Sequence, residues 1–137
     1  MVERLATCGL LQKRLKGKYQ VEFNEDLDGV PLRGFLDCLG DGYITDSKSS
    51  RSVDKFRYDI NSYSYDIQAY IYTKVFDIKD YYWVVQEKTY PYYPAEIKCS
   101  EETLFRGEMK YHQALENIKA YLDKKQPELN CYASFVV

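Results

Sequence analysis

The chain has 137 residues, 45% of them hydrophobic and 29% charged, with a formal net charge of −2. That length suits one domain with its own core, and the small negative charge argues against indiscriminate nucleic-acid binding through bulk charge. No apolar run approaches the ~20 residues that cross a bilayer, and Met1-Val2-Glu3-Arg4 lacks the charged-then-apolar start of a secretory signal, so a cytosolic chain without membrane contact is expected.

In chain order, Leu5, Cys8, Leu11 and Leu15 fall on one face of a helix over about 3–15, which Gly17 ends. Tyr19-Gln20-Val21-Glu22-Phe23 alternates apolar and polar side chains, the period of a strand. Asp26-Leu27-Asp28-Gly29 reads as a turn, Val30 to Leu39 as a second strand, Gly40-Asp41-Gly42 as a tight turn and Tyr43 to Ser47 as a third strand. Connections this short make the three an antiparallel meander. After the polar loop Ser49 to Ser52, the spacing predicts a long helix over about 53–76, with an interruption possible at Asn61-Ser62. Asp80 to Glu87 is apolar enough for a buried strand, and Tyr92 to Cys99 supplies another after Pro91. Ser100 caps a last helix with Glu101 and Glu102 in its first turn, where the helix dipole favours anions. Its buried face is expected to carry Leu104, Met109, Leu115, Ile118 and Leu122. The apolar tail at 127–137 suits an edge strand or a contact with another subunit. The sum is a single-domain α/β plan over 1–137, one mixed sheet covered by helices.

The four cysteines, Cys8, Cys38, Cys99 and Cys131, are far apart and include no C-x-x-C pair, so free thiols are expected rather than a zinc ribbon. Lys13, Arg14, Lys16 and Lys18 form one basic run, and Lys48, Arg51, Lys55 and Arg57 another; either run can hold a phosphate backbone or be a solvated face. Of the fifteen tyrosines, many cluster at 58–72 and 81–93. Such rings pack with one wet end, and exposed ones can stack on bases.

The central stretch carries the chemistry. Asp37 closes the second strand and Asp46 lies near the end of the third, so a hairpin-like pairing brings two carboxylates side by side. They repel unless they share a cation, and hard magnesium or manganese, which prefers oxygen and keeps waters, is the natural one. Lys48, two residues on, shares the face of Asp46, while the backbone carbonyl of Ser47 can turn toward the metal. An ammonium beside a metal-activated water is machinery for phosphodiester hydrolysis. Gln68 and Tyr72, four apart on the following helix, present an amide and a hydroxyl on one face, suited to a phosphate oxygen. Glu22 on the preceding strand can complete an acidic cluster, or simply face solvent.

With these residues, the chain resembles the PD-(D/E)xK nuclease superfamily, and within it the RecB/RecE-type exonucleases of phages and prophages. The runs that match are Gln20-Val21-Glu22, Gly29 to Asp37, Ile44 to Ser50, Tyr65 to Tyr72, and Val85 to Lys88 with Pro91-Tyr92, a likeness over about 18–122. The resemblance implies a restriction-endonuclease-like core: a central mixed sheet flanked by helices. It implies metal ligation by Asp37, Asp46 and the Ser47 carbonyl, with Lys48 activating water and Gln68 beside the site. It further implies a Mg2+- or Mn2+-dependent deoxyribonuclease, probing double-stranded ends as an exonuclease in phage-like recombination, often as a homo-oligomer that feeds a single-strand annealing protein in a bacterial or phage-infected cytoplasm. Arg51, Lys55, Arg57, Gln68 and Tyr72 are the DNA-contacting set. The single histidine, His112, matches no motif and is expected at the surface; Glu22 or Glu3 must supply any third acid. The alternative is a degenerate module that binds DNA or protein on the same fold without cutting.

Overall fold

A computed structural model describes residues 8–123. Helix α1 (Gly9–Arg14) leads into strands β1 (Lys18–Leu27), β2 (Val30–Leu39) and β3 (Tyr43–Ser50). Helices α2 (Phe56–Ser62) and α3 (Tyr65–Phe76) follow, then β4 (Asp80–Glu87), β5 (Pro94–Lys98) and α4 (Glu101–Leu122). The strands form one sheet in the order β1-β2-β3-β4-β5. Neighbours are antiparallel except β3 and β4, which run parallel because α2 and α3 lie between them in the chain. The mixed sheet flanked by helices is the expected α/β architecture.

Local chemistry sets the meander. Asp28 and Gly29 both adopt positive φ, 52° and 79°, so the first hairpin closes through a two-residue Asp-Gly turn of the kind that matches strand twist. The turn is shorter than expected and β1 correspondingly longer, pairing with β2 from Lys18↔Leu39 to Leu27↔Val30. β4 is buried from Tyr81 to Gln86, on both faces, as a central parallel strand must be. One face is covered by α2 and α3, whose Phe56, Ile60 and Ala69 pack with Leu36, Ile44 and Trp83 in the main core. The other end of the sheet receives α1: Leu11 is buried, Thr45 Oγ1 donates to the Arg14 carbonyl at 2.6 Å, and the Arg14 guanidinium lies 3.9 Å over the Tyr82 ring while pairing with Glu96 at 2.9 Å.

The helix over 53–76 is interrupted, as foreseen near Asn61-Ser62: α2 ends at Ser62 and Ser64 takes a left-handed φ of 58° before α3. Three expectations need correction. β3 runs on through Ser50, so the polar loop expected over Ser49 to Ser52 begins at Arg51. The last strand begins at Pro94 rather than Tyr92. On α4, Met109, Ile118 and Leu122 are 56%, 49% and 69% exposed, whereas Gly107, Tyr111 and Leu115 face inward. The physical cause is the close crossing of α3: a Cβ at Gly107 would fall 2.1 Å from the Asp66 carbonyl oxygen, so the inward stripe runs through 107, 111 and 115. Tyr111 and Leu115 join Tyr70 in a second core cluster, and Tyr111 donates its hydroxyl to the Leu27 carbonyl at 3.1 Å. Asp66, fully buried, accepts from Arg106 at 2.7 Å and pairs with Lys110 at 2.8 Å, locking the two helices.

Cys8, Cys38 and Cys99 are free thiols. Burial pushes the Cys99 thiol up to about 12, so it stays protonated. Among the described residues no helix is long and apolar enough to cross a membrane. Glu3, the N-terminal part of the expected first helix, Cys131 and the apolar tail lie outside the described residues.

Candidate active site

The site lies where β2 and β3 part. Their ladder holds only at Cys38↔Thr45 and Leu39↔Ile44. Continuing that register by one step sets Asp37 opposite Asp46, where the strands have begun to diverge. The parting frees the backbone of Ser47 on this edge, and its N–H donates to Asp37 Oδ2 at 2.9 Å. Meanwhile β3 keeps its parallel pairing with β4 along its whole length, including Asp46↔Trp83 and Lys48↔Val85. One edge of β3 is therefore rigid and the other is open.

Asp46 is only 5% exposed. Burial, then a hydrogen bond shared with Asp37, push its carboxyl up from 3.8 to about 7, against the opposing pull of Lys48. The Lys48 ammonium stands 3.0 Å from Asp46 Oδ2. That contact is an ion pair, and Oδ2 has no further hydrogen-bond partner among the described residues. Tyr81 Oη and Trp83 Nε1, buried on the adjacent strand, are unpartnered too.

Lys48 is held from three sides. Beyond Asp46, it donates to Gln68 Oε1 at 3.3 Å and lies 4.3 Å over the ring of Tyr65. Gln68 Nε2 in turn donates to Tyr72 Oη at 3.2 Å, as their spacing of four on α3 requires. Tyr72 is fixed edge-on against Phe23 of β1 at 5.3 Å. The sheet and α3 thus bring Asp37, Asp46, Ser47, Lys48, Gln68 and Tyr72 into one continuous network.

The other expected residues lie elsewhere. Glu22 is engaged by Arg33, with Nη2 at 2.9 Å and Nε at 3.0 Å, in an exposed pair, and no group of three His, Cys, Asp or Glu fit for a metal exists among the described residues. Arg51, Lys55 and Arg57 are exposed, and Arg57 is turned onto the Tyr58 ring and hydroxyl. His112 sits half-exposed near Glu108. Sequence reasoning gave no role to Tyr65, although it stands one helical turn before Gln68; the i,i+3 spacing was the available signal.

The donor set fits a divalent cation. Two acids share a hydrogen bond beside a single ammonium, which pairs with the buried Asp46 at 3.0 Å. Magnesium is commonly held by one or two carboxylates, with waters and substrate phosphate completing its shell.

The comparisons with known proteins follow this geometry. The crystal structure of a protein from Eubacterium rectale named "Putative exonuclease" superposes with a TM-score of 0.73 at 18% identity, over 87% of this chain and 50% of that one. The chain thus spans about half the length of that protein. No curated protein matches the sequence. The family model of a PDDEXK-like domain of unknown function (DUF3799) matches residues 1–132. That match covers nearly the whole chain, so the chain belongs to the DUF3799 family of PDDEXK-like domains.

Proposed function

We propose that this chain is a divalent-metal-dependent nuclease that hydrolyses DNA phosphodiester bonds. The observation that carries this reading is the buried Asp46 carboxyl, which shares a hydrogen bond with Asp37 and pairs with Lys48 at 3.0 Å. Crowding a buried carboxyl against a second acid costs stability, and sites of this kind concentrate where chemistry is done.

Asp37, Asp46 and the Ser47 carbonyl would hold the cation, which when bound polarises a phosphate oxygen and acidifies water. The Lys48 ammonium orients the attacking water and offsets negative charge that develops on the phosphate. Asp46 keeps Lys48 close; Gln68 and Tyr65 fix its direction, so that little reorganisation is needed at the moment of reaction. Gln68 and Tyr72 offer an amide and a hydroxyl to the phosphodiester. Arg51, Lys55 and Arg57 lie exposed in the segment after β3, where they can follow a DNA backbone.

Within that reading we place the chain as an exonuclease on duplex ends, supported by the Eubacterium rectale neighbour's name, and as a single nuclease domain; a homo-oligomer and a single-strand annealing partner are proposed only from the likeness to RecB/RecE-type exonucleases. Linear and circular duplex DNA are incubated with the protein, with Mg2+, Mn2+ or chelator. Metal-dependent loss of the linear form alone is expected. Asp37→Ala, Asp46→Ala and Lys48→Ala should each lower the rate by at least roughly a hundredfold, the scale of losing one preorganised electrostatic group. Wild-type rates in any one variant would remove that residue from the mechanism.

A second reading, a DNA-binding module that does not cut, draws on one observation: only two acidic side chains gather at the fork among the described residues. Calorimetric titration with Mn2+ beside a digestion assay separates the two. DNA binding without metal uptake or cleavage would select the module.

A further inference from the structure

Beside the fork runs an open groove of about 520 Å³, within the range of small-ligand sites. Lys48 and Gln68 form its inner end, Arg33 stands on the β2 side, and Tyr63, Tyr65 and Tyr72 line the α2–α3 side. The two helices are separated by Ser64 in a left-handed conformation that non-glycine residues seldom adopt, and this break sets Tyr63 and Tyr65 side by side. Tyr65 is anchored by stacking on Phe56 at 5.9 Å and 27°. Tyr63 leans on Tyr65 at 5.7 Å and 34°, yet remains 64% exposed. Tyr65 packs against the main core, whereas Tyr63 stands in water at a strained corner and adds little to it.

We infer that Tyr63, braced by Tyr65, forms a stacking shelf for an unpaired base of single-stranded DNA, next to the phosphate handled by Lys48 and Gln68. The inference rests on the nuclease reading for the identity of that phosphate. Paired bases in a duplex already stack on their neighbours and cannot lie on such a shelf, whereas an unpaired one gains an aromatic face whatever its sequence. Arg33, though shared with Glu22, adds a guanidinium at the opposite wall, where backbone charge would run. The terminal nucleotide is therefore taken unpaired, from a single strand or from a frayed duplex end, rather than as an intact base pair.

The test uses the full chain and a single-stranded DNA oligonucleotide with 2-aminopurine as its terminal base, titrated in chelator, beside the blunt duplex of the same sequence. The wild-type protein should quench the fluorescence of the single strand. Tyr63→Ala should weaken binding roughly tenfold, the scale of one lost base–aromatic stack, while Tyr63→Phe and the distant exposed Tyr90→Ala bind as wild type. With Mn2+ added, the same Tyr63→Ala protein should raise KM on the single strand by a similar factor. Equal affinity of Tyr63→Ala and wild type, equal quenching of the blunt duplex, or no single-strand binding by the wild type would each overturn the shelf. The two readings fail separately. Cleavage with unchanged binding by Tyr63→Ala removes the shelf and keeps the nuclease. Shelf-dependent binding without cleavage keeps the shelf and removes the nuclease.

Discussion

Replacing Asp46 by asparagine should make the metal-free protein more stable while abolishing cleavage. In the fold the Asp46 carboxyl titrates at about 7 instead of 3.8, chiefly because it is buried and shares a hydrogen bond with Asp37. An acid whose folded pKa is raised holds its proton more tightly in the fold than in the unfolded chain. Its favourable contribution is complete below about pH 4 and is lost as pH rises to about 7; above that the carboxylate is a net burden. A rise of roughly three units corresponds to about 4 kcal/mol at most. Asparagine has the shape of the protonated acid, and its amide can still donate to Asp37, but it never ionises. The stability of Asp46→Asn relative to wild type should therefore climb from near zero at about pH 3 to roughly 2–4 kcal/mol at pH 8. Urea unfolding in chelator at several pH values measures the gap, with the m-value serving as a check that the unfolded surface is unchanged. Adding Mn2+ at pH 8 should stabilise the wild type and not the variant, since a bound ligand adds RT ln(1 + [L]/Kd), about 2.7 kcal/mol at a hundredfold excess over Kd. A flat difference across pH, or an Asp46→Asn protein less stable than wild type at pH 8, would refute the view that this carboxylate is stored strain awaiting a cation.

The α3–α4 junction gives two more expectations. Burial alone would raise the Asp66 carboxyl, but hydrogen bonds from Lys110 and Arg106 outweigh it and hold the group below its ordinary value. That stability is present above about pH 4 and is lost as pH falls through the depressed folded value. Removing both cations, Arg106→Ala with Lys110→Ala, strands a fully buried charge. Because both cations keep some water in the wild type, a cost of roughly 2–4 kcal/mol at pH 7 is expected, shrinking toward pH 4, where the stranded acid can protonate; urea unfolding at the two pH values reads it. Gly107→Ala should cost more than the gain in helix propensity returns, because the new Cβ meets the Asp66 carbonyl at 2.1 Å and forces the helices apart. A net loss of about 1–3 kcal/mol in thermal or urea unfolding is expected, on the scale of overpacking.

Much of the candidate site at the β2–β3 fork is legible in the chain because it depends on short-range geometry. Asp28-Gly29 and Gly40-Asp41-Gly42 fix two tight connections; the second nearly dictates which residue of β2 stands across from Asp46. Period two places Lys48 with Asp46, and a spacing of four places Gln68 with Tyr72, whatever lies around them. The fate of Glu22 is not legible, since Arg33 meets it only through the pairing of two strands and competes for its charge. The helix break near Asn61-Ser62 is legible, but the left-handed corner at Ser64 is not: nothing in Tyr63-Ser64-Tyr65 demands it until α2 and α3 must both seat on the same sheet face.

The same division explains α4. Its composition announces a helix, capped by the Ser100 hydroxyl accepting from the Thr103 N–H at 3.1 Å, but not which stripe turns inward. Apolar content nominates Met109, Ile118 and Leu122, yet the helix is covered on one side only, and the residue that permits contact there is a glycine. The carboxyls are the clearest case. The amino-acid sequence determined which acids, which ammonium and which amide are available, and by its turns and periodicities how they can be aligned. Only the folded protein decided that Asp46 would be sealed from water against Asp37, because desolvation is set by the helices and strands that close over a group, not by its neighbours along the chain.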